Sequence, residues 1–315
     1  MKKRYLTLAG LLILLGAAWL LQSAGRLETE NTAPEKKIEL ADTTVRGYKD
    51  GRLLWSLQSR YIWSALNIDH AVIENIYNGK LYDNGRLLLD ELSARKVQAN
   101  APQERLHADK GFRAVLRRGG QQPVSIWGEQ LNYSAANKRS TLQKKILVVD
   151  RGTRINASRA EIDHAAQQLF FGADTVLARP DTTLTAEELI VDLRQDIFTA
   201  RGKVRLTREA EQTANELRRA KTQIFADALQ ADVAGDFAQM TLSGNVLIQQ
   251  AGKQASGRSA LYSEKENLIY LSDGEYTQAE NNAVVKAQKI IVDIAAEKFT
   301  AAGAAEAAIR LPPKQ

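Results

Sequence analysis

Short runs that alternate apolar and polar residues fill the chain after residue 45, and the runs themselves recur about every 30 residues. The alternating pairs include Leu131/Tyr133, Ile146/Val148, Leu169/Phe171, Leu189/Val191/Leu193, Val204/Leu206, Met240/Leu242, Val246/Ile248, Leu268/Tyr270 and Ile290/Val292/Ile294. A period of two is that of a strand with one buried face. A glycine opens a turn-and-strand step at Gly172, Gly202, Gly244, Gly274 and Gly303, with spacings of 30, 42, 30 and 29. The long interval contains the charged segment 208–221, which reads as a short helix or a charged loop of about 12 extra residues inserted into one unit. A second ladder runs in phase: Asp163, Asp192, Asp232 and Asp293 each close an apolar run, and Gln130-Leu-Asn-Tyr133 is an earlier copy. The glycines suit bulges or bends, and the aspartates suit turns better than ligation or catalysis. A unit this short holds two or three strands and must stack on its neighbours to bury an apolar face.

The chain has 315 residues, no Cys and three His, no two of them closer than 37 positions. A disulfide framework, thiolate chemistry and Cys-based metal clusters are therefore excluded, and a His-built metal site is disfavoured. No Gly-x-Ser-x-Gly, His-Glu-x-x-His, phosphate-loop or dinucleotide-binding motif occurs. The expectation is no catalytic residue, no metal and no cofactor; His70 reads as a surface residue.

Lys2, Lys3 and Arg4 precede an uncharged stretch from Tyr5 to Leu21 in which nine of 17 residues are Leu or Ile. At ~1.5 Å per residue that stretch reaches about 26 Å, enough for a hydrocarbon core. Tyr5 and Trp19 stand near its ends, where aromatic rings favour the interface. Residues 1–4 then form a cytoplasmic tip, 5–22 a single-pass anchor in the inner (cytoplasmic) membrane, and 23–44 a polar tether, with the bulk of the chain periplasmic. A cleaved signal peptide ending at Gln22-Ser23-Ala24 is the alternative.

Between Arg95 and Arg159 there are 14 Lys/Arg against four Asp/Glu. This basic band includes Arg95, Lys96, Arg105, Lys110, Arg113, Arg117, Arg118, Lys138, Arg139, Lys144 and Lys145. It suits lipid phosphates or a solvated face; the outward compartment and the few aromatics argue against nucleic acid. Trp55, Trp63 and Trp127 are expected as core anchors.

The segments 186–206 (Ala-x-x-Leu-x-Val-Asp…Phe-x-Ala-x-Gly-x-Val-x-Leu) and 257–274 (…Ala-Leu-Tyr-Ser…Leu-Ile-Tyr-Leu-Ser-Asp-Gly) resemble the OstA-like, LptA-type repeat of the lipopolysaccharide transport system. The stretch Gly-Tyr-Lys-Asp-Gly-Arg-Leu-Leu-Trp-Ser-Leu at 47–57, following an anchor and a tether, is similar to the membrane-anchored LptC family of that system. The chain is longer than a typical LptC, and the 208–221 insertion departs from the pattern.

This resemblance implies an all-β fold, an open antiparallel β-jellyroll, with an LptC-like part at 45–150 and LptA-like repeats at 151–310 that are separate or continuous with it. It also implies a non-enzymatic lipid conduit. The interior set would be Leu131, Tyr133, Ile146, Val148, Leu169, Phe171, Leu189, Val191, Val204, Leu206, Met240, Leu242, Val246 and Ile248, touching acyl chains or serving as plain core. Arg113, Arg117, Arg118, Lys144 and Lys145 are candidate headgroup contacts at the groove mouth. The implied partners are lipopolysaccharide or lipid A, the membrane, subunits of an inner-membrane ABC exporter and a periplasmic LptA-like bridge protein. Two rival readings are a tethered scaffold that binds protein partners through edge strands, and a parallel β-helix enzyme acting on polysaccharide.

Overall fold

The computed structural model describes residues 38–64, 71–100, 102–118, 122–172, 174–212, 217–232, 239–278 and 283–309. Among these residues twenty strands hydrogen-bond into one sheet. They follow chain order, from Ile38–Lys49 at one edge, beside Arg52–Ser64, to Lys298–Ile309 at the other, beside Ala283–Asp293. Successive pairings are antiparallel throughout. A parallel β-helix is thereby excluded, since its coils would pair in parallel. The sheet crosses residue 150 without a break, because Arg139–Asp150 and Thr153–Asp163 are neighbours joined by a two-residue turn.

Each long strand is bent near its middle. The ladder slips between Gln143 and Ile146, between Arg201 and Val204, and between Ser243 and Val246. Elsewhere the strand is cut in two, as in Val124–Gly128 followed by Gln130–Ser134. The glycine ladder read from the sequence lies at these bends: Gly202, Gly244 and Gly303 have φ of 71°, 72° and 85°. A side chain at Gly244 would also put its Cβ 2.8 Å from that of Asp227. Gly244→Val should therefore cost about 2 kcal/mol in urea unfolding. Gly252→Ala, at φ 74° but with open space around it, should cost about 1 kcal/mol.

The bends line up from strand to strand into a ridge, and the two halves of every strand fold over it into two layers. Leu, Ile, Val and Ala from both layers meet in one core that runs from Trp55 to Ile294. Opposite the ridge, the turns of the two layers form two facing rims. The aspartate ladder builds one of them. Oδ1 of Asp163 accepts from the backbone N–H of Ala165 and Ala166, Oδ1 of Asp192 from Arg194 and Gln195, and Oδ1 of Asp293 from Ala296. Ser134 and Ser263 do the same where the copy lacks Asp.

Four expectations change. Residues 38–44, read as tether, are strand, paired from Ile38↔Ser64 onward; an edge strand needs only a backbone partner, so its polar side chains hide it. The inward pair in 268–271 is Ile269/Leu271, not Leu268/Tyr270; with four apolar residues in a row, period two cannot choose a face. Trp55 is buried, but Trp127 is half-exposed on the outer face beneath Arg113. In the 208–221 insertion, read as a short helix or a charged loop, the described residues Glu211–Gln212 and Leu217–Arg219 pair as two short antiparallel strands of a separate sheet. The expected anchor at 5–22 lies outside the described residues, as does His70. Among the described residues no helix is long and apolar enough to cross a membrane.

Candidate functional site: the apolar interior and its rim

The 14 interior positions singled out from the sequence all face the space between the layers, and none is more than 9% exposed. They are packed against one another. A narrow, partly open gap between Val148, Leu169, Val191 and Phe198 measures ≈ 20 Å³, room for about one water. An acyl chain can enter this interior only if the layers spread or side chains repack.

The layers are held together along the rims by a row of polar contacts. Lys49 pairs with Glu104, and Lys138 Nζ lies 3.2 Å from Asp83. The Tyr133 hydroxyl donates to the Tyr82 carbonyl (3.3 Å), and Arg86 donates to the His164 carbonyl (2.9 Å). Arg118, its side chain 3% exposed, donates to Asp150 and to Asp196, both at 3.0 Å, and to the Gln122 carbonyl. Arg151 adds a second cation to Asp196. Further along, Arg179 meets Glu264 at 3.2 Å, and Arg208 donates to the Tyr262 hydroxyl (2.7 Å) and Asn267 (2.6 Å). At the C-terminal end the Gln250 amide donates to the Ile294 carbonyl and Lys253 to the Glu297 carbonyl. The mouth of the expected open jellyroll is thus laced shut by side chains rather than by strand pairing.

Burial tunes several of these groups. It pushes the Tyr262 hydroxyl up to about 12 and the Tyr133 hydroxyl higher still. It lifts the Glu264 carboxyl above the ordinary range against the pull of Arg179. Asp163 is held low, first by the Ala166 N–H and also by Arg139. His164 is 3% exposed, hydrogen-bonded through Nε2 to Ser140 Oγ at 2.8 Å, and edge-on to Tyr133. Burial, with Arg86 nearby, lowers its pKa from 6.5 to about 4. An imidazole that stays neutral when folded but protonates near pH 6.5 when unfolded favours the folded state most above pH 6.5. That stability is lost as the pH falls from 6.5 to about 4, by about 3 kcal/mol in all. Urea unfolding of His164→Gln between pH 7 and pH 4 should show a correspondingly smaller loss.

The five candidate headgroup residues do not converge. Arg118 is locked in the rim, and Arg117 is an outer-face partner of Asp90 at 2.7 Å. Arg113, Lys144 and Lys145 sit at the ridge, opposite the mouth. Asp83, Asp150, Asp196, Glu264 and Arg208 carry the rim, and no local signal marks them: the first two and Arg208 end strands, and Asp196 and Glu264 lie in turns. Among the described residues no three metal-ligating side chains come together, and His107 is engaged with Asn132 at 2.6 Å.

No curated protein sequence matches the chain. Among solved structures, the crystal structure of LptH, the LptA homologous periplasmic component of the conserved lipopolysaccharide transport device from Pseudomonas aeruginosa, is 14% identical. The match covers 51% of this chain and 95% of that one, with a TM-score of 0.31, a likeness too distant to carry an argument. Residues 154–298, from the strand after the Asp150 turn to the start of the last strand, match the family described as LptA/(LptD N-terminal domain) LPS transport protein.

Proposed function

We propose that the chain is a non-enzymatic component of lipopolysaccharide transport, or of transport of a related lipid. In this reading it carries acyl chains between its two layers across the periplasm. The observation that supports it most is the uninterrupted apolar interior from Trp55 to Ile294, closed on one side only by side-chain contacts. Each CH₂ kept from water contributes about 0.8 kcal/mol, so a multi-acyl lipid would need such an interior along its whole route. The rim offers a physical route of entry, since parting it breaks ion pairs and hydrogen bonds but no strand pairing.

The edge strands support the rest of the reading. Ile38–Lys49 and Lys298–Ile309 each pair on one side only among the described residues, and a free edge invites strand addition. The N-terminal edge would face the inner-membrane exporter, held there by an LptC-like anchor at 5–22. The C-terminal edge would extend to an LptA-like bridge protein. The packed interior favours a second reading, a tethered scaffold that joins protein partners and holds no lipid.

Photo-crosslinking of the full chain with lipopolysaccharide, from probes at Phe171, Leu206 and Leu242, separates the two readings. The conduit predicts saturable lipid adducts at all three and none at outward Arg205. Folded protein with no adduct at any of the three leaves the scaffold.

A further inference from the structure

The ridge of the N-terminal half carries a cationic and aromatic surface that the lipid reading does not use. At the bends of the C-terminal half each left-handed pair contains a glycine, for which that conformation carries no steric cost: Gly202 with Lys203 (φ 46°) and Gly244 with Asn245 (φ 47°). At the bends of the N-terminal half Lys110 (φ 63°) pairs with Gly111 (φ 96°), whereas Lys144 (φ 63°) and Lys145 (φ 50°) form a left-handed pair with no glycine. A side chain in that region costs about 1–2 kcal/mol, and strain of this kind gathers at functional surfaces.

Lys110 and Lys145 flank a shallow groove open along the ridge, with Arg60, Arg95 and Arg113 also on its walls. Arg60, Arg95, Lys110 and Lys144 are exposed and in no ion pair among the described residues. Glu129, paired with Lys145 at 2.7 Å, Glu91, 4.0 Å from Arg113, and Asp109 beside Lys110 oppose part of the charge. Tyr77 stands 53% exposed beside them, and the Trp127 ring lies under the Arg113 guanidinium at 5.9 Å.

We infer that this ridge docks on the surface of an anionic phospholipid bilayer. Charge complementarity argues for it: a Lys or Arg near such a surface contributes about 1 kcal/mol, and Tyr and Trp favour the headgroup level. The groove is on the outer side of the bend, so a flat surface reaches it without touching the rim. The 15 residues between the expected anchor and Ile38 span at most about 50 Å, enough to let the ridge lie back on the membrane that holds the chain. The inference is independent of whether the interior carries lipid.

The chain has no Cys, so Tyr77→Cys accepts a single environment-sensitive fluorophore. The labelled full chain is reconstituted in phosphatidylcholine vesicles with and without about 30% phosphatidylglycerol. The expected result is a blue-shifted, quencher-protected probe in anionic vesicles only, reversed by high salt. Each neutral replacement among Arg95→Gln, Lys110→Gln and Lys144→Gln should lower the docked-to-free ratio about fivefold, while Arg258→Gln, on the C-terminal half, should leave it unchanged. Equal spectra in the two vesicle types, or a triple variant that still docks, overturn the inference. So does a response to soluble polyglutamate as large as that to vesicles, which would make the ridge a site for an acidic protein.

Discussion

Arg118→Met should lower the stability of the protein by about 3 kcal/mol in urea unfolding. The guanidinium is nearly inaccessible, and it bridges Asp150 and Asp196 while also donating to the Gln122 carbonyl. Removing it leaves two carboxylates, 12% and 13% exposed, beside an apolar interior, where unpaired charge is costly. Arg151 remains within reach of both, at 3.5 Å from Asp150 and 3.0 Å from Asp196, which sets the loss at the lower end of the range for a broken buried pair. Neutralising the two acids in the same chain, as Arg118→Met/Asp150→Asn/Asp196→Asn, should recover most of it, because the penalty comes from the stranded charge more than from the lost attraction. A triple variant no more stable than the single one would mean that Arg118 contributes through packing.

Phe171→Ala should cost about 3–5 kcal/mol, within the range for a fully buried aromatic. Phe171 is 1% exposed and among the largest fully buried side chains, whereas its neighbour Phe170 is half-exposed on the outer face. Phe170→Ala should therefore cost less than about 1 kcal/mol. The pair checks the assignment of faces by denaturation alone. If acyl chains occupy this interior, the void left by Phe171→Ala has something to fill it. Lipopolysaccharide should then raise the melting temperature of Phe171→Ala more than that of the unaltered protein.

The strands were legible because their signals are local. Alternation at Leu169/Phe171 or Val246/Ile248 needs no partner to be read, and the layers bury those residues as the pattern says. Gly202 and Gly244 marked bends because left-handed backbone favours glycine, and Asp163 and Asp192 marked turns because their carboxylates bond the next backbone N–H groups. Where locality failed, so did the reading. Leu268-Ile-Tyr-Leu271 is apolar on both faces, and only its pairing with Ile290 and Val292 decides which side is in. The rim was invisible for the same reason: the partners that join its two sides are far apart in the chain, 44 residues for Gln250 and Ile294 and 85 for Arg179 and Glu264. Their meeting depends on the layers folding over the ridge, which no window of sequence encodes. The lysines at Lys110 and Lys144 were seen as charge but not as bends, since glycine was the expected occupant of a bend.

In the conduit reading lipid enters by parting of the rim, and locking the rim tests it. Arg179→Cys and Glu264→Cys, in a chain with no other Cys, can be joined by a short, cleavable bis-maleimide, with a photoreactive probe at Leu242. Lipopolysaccharide should crosslink to the unlocked protein, fail to crosslink to the locked one, and crosslink again once the linker is cleaved. Equal adduct yields with the rim locked and unlocked would contradict the account.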